Sequence, residues 1–151
     1  MIIYAVLAAA VVLADQFAKL LVVSRIDADR AICVIPKVID FVYVKNTGAA
    51  FSIMADMTWL LAIVSVVFCA AVAVYFVRKQ PKSRLQCTAL TLMFSGAMGN
   101  ALDRIFRGYV VDFIRTAFID FPVFNIADMA ITVGAAVLII YIILSEKKEK
   151  R

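Results

Sequence analysis

A chain of 151 residues that is 65% hydrophobic, with a mean hydropathy of +0.98, exceeds the roughly 45 to 50% apolar content of soluble domains and reads as membrane-embedded. The length holds four spans of about 20 residues with two modest loops and no second domain, so residues 1–151 are expected to form a single integral-membrane domain. With no histidine and with three cysteines that form no CxxC pair, there is no zinc or copper constellation and no histidine-based serine or cysteine hydrolase, and neither metal nor cofactor is expected.

Residues 2–23 form the first apolar run, interrupted only by Asp15, Gln16 and Lys19 near its distal end. The run lacks a basic leading region and carries charge where a cleavage site would need small residues, so it reads as a retained span. Residues 24–57 form the first outer loop. Its β-branched stretches at 31–34 and 38–44, broken by Pro36, predict a small sheet lying on the membrane. The segment KNTGAAFSI follows, with Gly48 permitting an unusual backbone turn; it reads either as an ordinary loop tip or as a lid carrying Phe51 toward the bilayer.

The second span, residues 59–77, is expected to start at Thr58 as its N-cap and to end in the basic loop RKQPKSR. Residues 85–102 form the third, with Ser95 and Gly99 at a spacing that lets a neighbouring helix approach closely. The second outer loop, 103–125, contains the run 109–114, which is expected to fold back toward the helices. Residues 126–144 form the fourth span, followed by Lys147, Lys148, Lys150 and Arg151. The net charge of +5 is thus concentrated beside spans rather than on a face for nucleic acid; both basic segments read as cytoplasmic, with both termini inside and both longer loops outside. Cys69 and Cys87 fall in apolar segments, where a thiol acts as a small hydrophobe.

On this topology Asp15, Gln16, Lys19, Asn46, Asn100, Asp103, Arg104, Asp112, Asn125 and Asp128 all collect at the outer edge of the bilayer. Ionisable residues there are costly and point to function. Asn100 with Asp103, and Asn125 with Asp128, are each three apart, so each pair shares a helical face and the two faces can meet in a cleft. Asp112 and Asp128 read as a dyad sharing one proton, one carboxylate deprotonating a water and the other acting as acid; two solvated interfacial aspartates are the plainer alternative. Asp103 and Arg104 are either an ion pair at a helix end or, with Asn100, a set of groups holding an extended substrate. Asp15 and Lys19, four apart, either pair and snorkel outward or reach a lipid phosphate or substrate carbonyl. A Ser-Lys dyad using Ser52 or Ser95 with Lys19 is a minor option, as are a transporter, which would place its site at the midplane between repeats, and a scaffold glued by polar residues.

The blocks ADQFAKL, KNTGAAFSI, GAMGNALDRIFRGYVVDFI and FNIADMAITVG together resemble lipoprotein signal peptidase, the bacterial signal peptidase II family, over nearly the whole length. The resemblance implies a membrane all-α fold of four transmembrane helices with an extracytoplasmic β-cradle and a periplasmic lid segment within residues 24–57. It implies an inner-membrane aspartyl endopeptidase, active at the periplasmic face, that cuts prolipoproteins before a diacylglyceryl-modified cysteine. Asp112 and Asp128 match the catalytic pair, and Asp15, Lys19, Asn46, Gly48, Asn100, Asp103, Arg104 and Asn125 fall on positions that shape or line the substrate site. Membrane lipid, diacylglyceryl prolipoproteins and globomycin-like cyclic peptide inhibitors are the partners implied, and a monomer is expected.

Overall fold

The computed structural model describes residues 1–48 and 57–149, which form four long helices and a three-stranded antiparallel sheet. The helices are α1 (Ile2–Arg25), α2 (Thr58–Lys79), α3 (Arg84–Arg107) and α4 (Ile126–Glu149). At 1.5 Å per residue each is about 33 to 36 Å long, enough for a hydrocarbon core of about 30 Å. α1, α2 and α4 are also apolar enough to cross a membrane. α3 is as long but carries more small and polar residues.

That difference follows from position. α3 is the central helix, packed against α1, α2 and α4, and its buried residues are Ala89, Ser95, Gly96, Ala97, Gly99 and Ala101 together with polar Thr91, Asn100 and Asp103. Outside, large apolar side chains such as Leu13, Phe17, Val67 and Ile143 are exposed. A bundle with polar residues inside and apolar ones outside is arranged for lipid, where helix packing relies on close contact of small residues. Gly96 lies directly against the Ala127 carbonyl, so a Cβ there would collide with α4 backbone. At Gly134 a Cβ would come within 2.8 Å of the Ala89 carbonyl, so the same helix pair is locked from the other side. Cys69 and Cys87 are buried and free, as their apolar settings suggest.

Strands β1 (Ala31–Ile35) and β2 (Ile39–Asn46) pair as a hairpin whose turn holds Lys37 at φ 61°. Both match the expected stretches within two residues. The run after α3 is a third strand, β3 (Val110–Thr116), not merely a loop folding back: it pairs with β2 and completes the order β1-β2-β3. Gly108, at φ 77°, ends α3 and turns the chain into it. Val111 and Phe113 pack on Val22 of α1 and on Ile26, which follows the helix, so the alternation of a strand turns Asp112 to the opposite side.

Two expectations about loop ends are revised. Thr58 is the first helical residue of α2 rather than its cap; its hydroxyl donates to the Thr47 carbonyl at 3.0 Å and so ties α2 to the end of β2. The suggested lid tip with Phe51 lies outside the described residues.

Replacing Gly96 with Ala is expected to destabilise the α3–α4 pair by about 1 to 3 kcal/mol, the usual range for overpacking, read as a lowered Tm in detergent.

Candidate active site

The apolar bundle encloses a connected polar cluster at the junction of α1, α3, α4 and the sheet. Its centre is Lys19, fully buried, whose ammonium lies 2.9 Å from Asp15, 2.9 Å from Asp103 and 3.0 Å from the Asn100 Oδ1. An ammonium has three protons, and all three are committed. Lys19 thus pairs with Asp15, as their spacing suggested, but it does not snorkel outward and has no proton left for lipid or substrate. Ser95 is no partner for it, because it is buried and donates to the Thr91 carbonyl, and Ser52 lies outside the described residues.

Asp15 and Asp103 are equally buried, and each also satisfies a backbone N–H, Asp15 through its second oxygen and Asp103 through the oxygen that faces Lys19. Asp15 accepts the Ala127 N–H at 2.9 Å, one of the otherwise unpaired donors in the first turn of α4. Asp103 accepts the Val111 N–H at 3.1 Å and pairs with Arg107 at 2.7 Å. Gln16 bridges Asp15, Asp103 and the Gly99 carbonyl. Gly99 makes this approach possible, since a Cβ there would sit 2.7 Å from Asp15. Asp15, Lys19 and Asp103, expected among the substrate-binding residues, thus sit behind the site rather than on its wall. Arg107 escaped the sequence reading, although its position one turn after Asp103 was a usable signal.

In front of this cluster opens a cleft of about 900 Å³ bounded by Asn46, Asn100, Arg104, Asp112 and Asp128, with Phe121, Phe124 and Ile131 among its apolar walls. Asn125, immediately before α4, joins both aspartates. Its Nδ2 donates to Asp112 at 2.6 Å, and its Oδ1 accepts the Asp128 N–H at 2.9 Å. Asp128 in return accepts the Asn125 N–H at 3.2 Å, a reciprocal cap that fixes the carboxylate at the head of the helix. Sequence spacing placed Asn125 and Asp128 on one helical face; Asn125 instead stands just outside the helix.

The other oxygen of each aspartate is also held. Asn46 lies diagonally across from Asp112 on the same face of the sheet and donates to it at 2.8 Å, while its own Oδ1 accepts the Gly48 N–H. Asn100 Nδ2 donates to Asp128 at 2.7 Å. Arg104 donates through Nη2 to the Gly48 carbonyl at 3.2 Å, and its buried Nε has no hydrogen-bond partner among the described residues. Burial, with the like charge of Asp128, pushes Asp112 up to about 6, against the lowering effects of Asn46, Asn125 and Lys19. At the outer rim the hydroxyls of Tyr43 and Tyr109 are 3.0 Å apart beneath Lys45, and burial with that hydrogen bond pushes Tyr43 up to about 12.

A carboxylate pair braced by amides, one on a strand and one at the head of a membrane-capable helix in a chain without histidine, is the arrangement expected of a membrane enzyme of the aspartic type. The sequence profile of signal peptidase (SPase) II matches residues 7–144, and the chain belongs to the signal peptidase II family. It is 42% identical over 151 residues to the lipoprotein signal peptidase of Geobacillus thermodenitrificans, covering 99% of this chain and 94% of that one. To the lipoprotein signal peptidase of Anoxybacillus flavithermus it is 40% identical over 149 residues, with 97% and 89% covered. Among solved structures, a bacterial membrane enzyme determined by the in meso method at 2.3 Å superposes with a TM-score of 0.93 at 31% identity, covering 100% of this chain and 93% of that one.

Removing Asp15 strips Lys19 of one of its two carboxylates and uncaps Ala127. Asp15→Ala is expected to cost about 3 to 5 kcal/mol, the range for breaking a buried ion pair, measured as loss of folded protein on heating in detergent.

Proposed function

We propose that this chain removes the signal peptide from prolipoproteins, cutting before the diacylglyceryl-modified cysteine with Asp112 and Asp128 as the catalytic pair. The observation that carries the reading is the shared bracing of the two carboxylates by Asn125 on one wall of a largely apolar cleft. Peptide hydrolysis by such a pair needs one proton between them. Asp128 sits in the first turn of α4, where free N–H groups favour negative charge, and serves as the base. Asp112 serves as the acid.

A water between them gives a proton to Asp128 as its oxygen attacks the scissile carbonyl, while Asp112 protonates the carbonyl oxygen. Collapse of the resulting gem-diol breaks the C–N bond, the amine leaving with a proton from Asp128 and Asp112 regaining one from the diol, so the pair ends as it began. The free Nε of Arg104 is a donor for a substrate carbonyl at the cleft wall. Asn46, Asn100 and Asn125 hold the carboxylates, and Gly48 holds Arg104. The apolar wall at Phe121, Phe124 and Ile131 suits acyl chains, and an acylated substrate reaches it from the lipid side.

The same reading takes α3 as a fourth span, with Thr91, Ser95, Asn100 and Asp103 buried inside the bundle and residues 1–151 as a single domain. The basic 78–84 and C-terminal segments then lie in the cytoplasm with both termini, and the sheet and cleft lie on the periplasmic side of the inner membrane. A cyclic lipopeptide of the globomycin type, presenting a peptide backbone and an acyl chain, would occupy this cleft. The chain works as a monomer, since the whole polar cluster comes from one copy.

Asp112→Asn and Asp128→Asn are each expected to lower cleavage of a diacylglyceryl precursor by about 10³-fold or more, with folding retained, in a gel-shift assay run beside the unlipidated precursor. Turnover near the parent rate in either variant would remove the dyad. Because Asp112 is raised, the pair keeps its shared proton below about pH 6 and loses it above. On the alkaline side kcat/KM is therefore expected to fall, approaching about tenfold per pH unit.

A further inference from the structure

The amide of Asn100 joins two groups whose hydrogen-bonding roles are fixed. On one side its Oδ1 accepts from Lys19 at 3.0 Å; on the other its Nδ2 donates to Asp128 at 2.7 Å. An ammonium can only donate and a carboxylate can only accept, so the orientation of the amide is dictated from both ends. Asn125 Nδ2 adds a second donor to the same Oδ1 at 3.2 Å. Without the cation, Oδ1 would keep only this weaker donor. Asn100 is 5% exposed and Lys19 fully buried, so water cannot readily substitute.

We propose that Lys19 is a positioning residue for the catalytic pair, acting through the Asn100 amide to hold a polarised N–H against Asp128. The proposal rests on the peptidase reading above and extends it to a residue that touches neither the cleft nor the reacting atoms. Lys19 pulls electron density toward Oδ1 and so strengthens the hydrogen bond that Nδ2 gives, as donors in a chain reinforce one another. The consequence is asymmetry: Asp128 is favoured as the unprotonated partner before substrate arrives. Among the described residues the other charged groups coupled to Asp128 are Asp112 on β3 and Arg104 on α3, and the hydrogen-bonded path from Lys19 on α1 to Asp128 runs through Asn100.

The decisive variant is Asn100→Asp, which keeps an oxygen toward Lys19 but turns a second, negatively charged oxygen on Asp128 in place of the donor. It is expected to fold, to lower kcat for the diacylglyceryl precursor by about a hundredfold while changing KM by less than about threefold, and to move the alkaline limb upward. A kcat within about threefold of the parent and an unmoved limb would overturn the proposal.

A double-mutant cycle gives a second reading. Lys19→Gln, made with Asp15→Asn to keep the cluster neutral, should slow the parent but add less than about threefold once Asn100→Ala is present. Losses that simply multiply would show that Lys19 acts independently and would sink the relay; should the compensated variant not fold, Asn100→Asp decides alone. The peptidase reading fails separately, if the unaltered protein leaves the lipidated precursor uncut. The relay would then be read from the Asp128 carboxyl band in an infrared pH titration, shifted upward in Asn100→Asp if it holds and unmoved if it does not.

Discussion

A single buried ammonium sets the terms for the rest of the molecule. Lys19 is enclosed by α1 and α3, and its desolvation is tolerable only because Asp15, Asp103 and Asn100 surround it at hydrogen-bond distance. Each of these partners carries the constraint outward. Asp15 fastens the head of α4, Asp103 fastens the start of β3, and Asn100 fastens Asp128. Four elements, α1, α3, β3 and α4, thereby meet at one point.

Charge balance completes that picture. Asp15 and Asp103 are matched by Lys19 and Arg107, while Arg104 faces Asp112 and Asp128, the two carboxylates proposed to hold one proton between them. These three cations and four carboxylates balance when the pair is singly protonated, the state the proposed hydrolysis requires. In a low-dielectric bundle a departure from neutrality is expensive, so the fold favours the working protonation state. The small residues of α3 matter here too, because Gly96 and Gly99 bring α4 and Asp15 close enough for these short contacts.

Much of this was legible in the sequence. Hydropathy located the four helices to within a few residues, and alternating β-branched residues located two strands. Ten polar residues were drawn together from topology alone, and they do meet. What spacing could not convey was depth. Asp15, Lys19 and Asp103 lie behind the cleft and Asn100 and Asp128 on it, a distinction set by which side of α3 each neighbour packs on, and that is a tertiary property. The third strand was obscured because VVDFIRT carries a buried aspartate where a strand usually alternates simply. Thr58 resembled a cap because its side chain suits one, but the Thr47 carbonyl offered it a long-range partner.

The reciprocal cap between Asn125 and Asp128 means that the carboxylate proposed to react is also a structural clasp for the last helix. Chemistry and architecture share one side chain there. A compound whose grip is confined to Asn100, Asn125 and Asp128 would therefore leave few escape routes to resistance, since an exchange that loosened the compound would also loosen the end of α4.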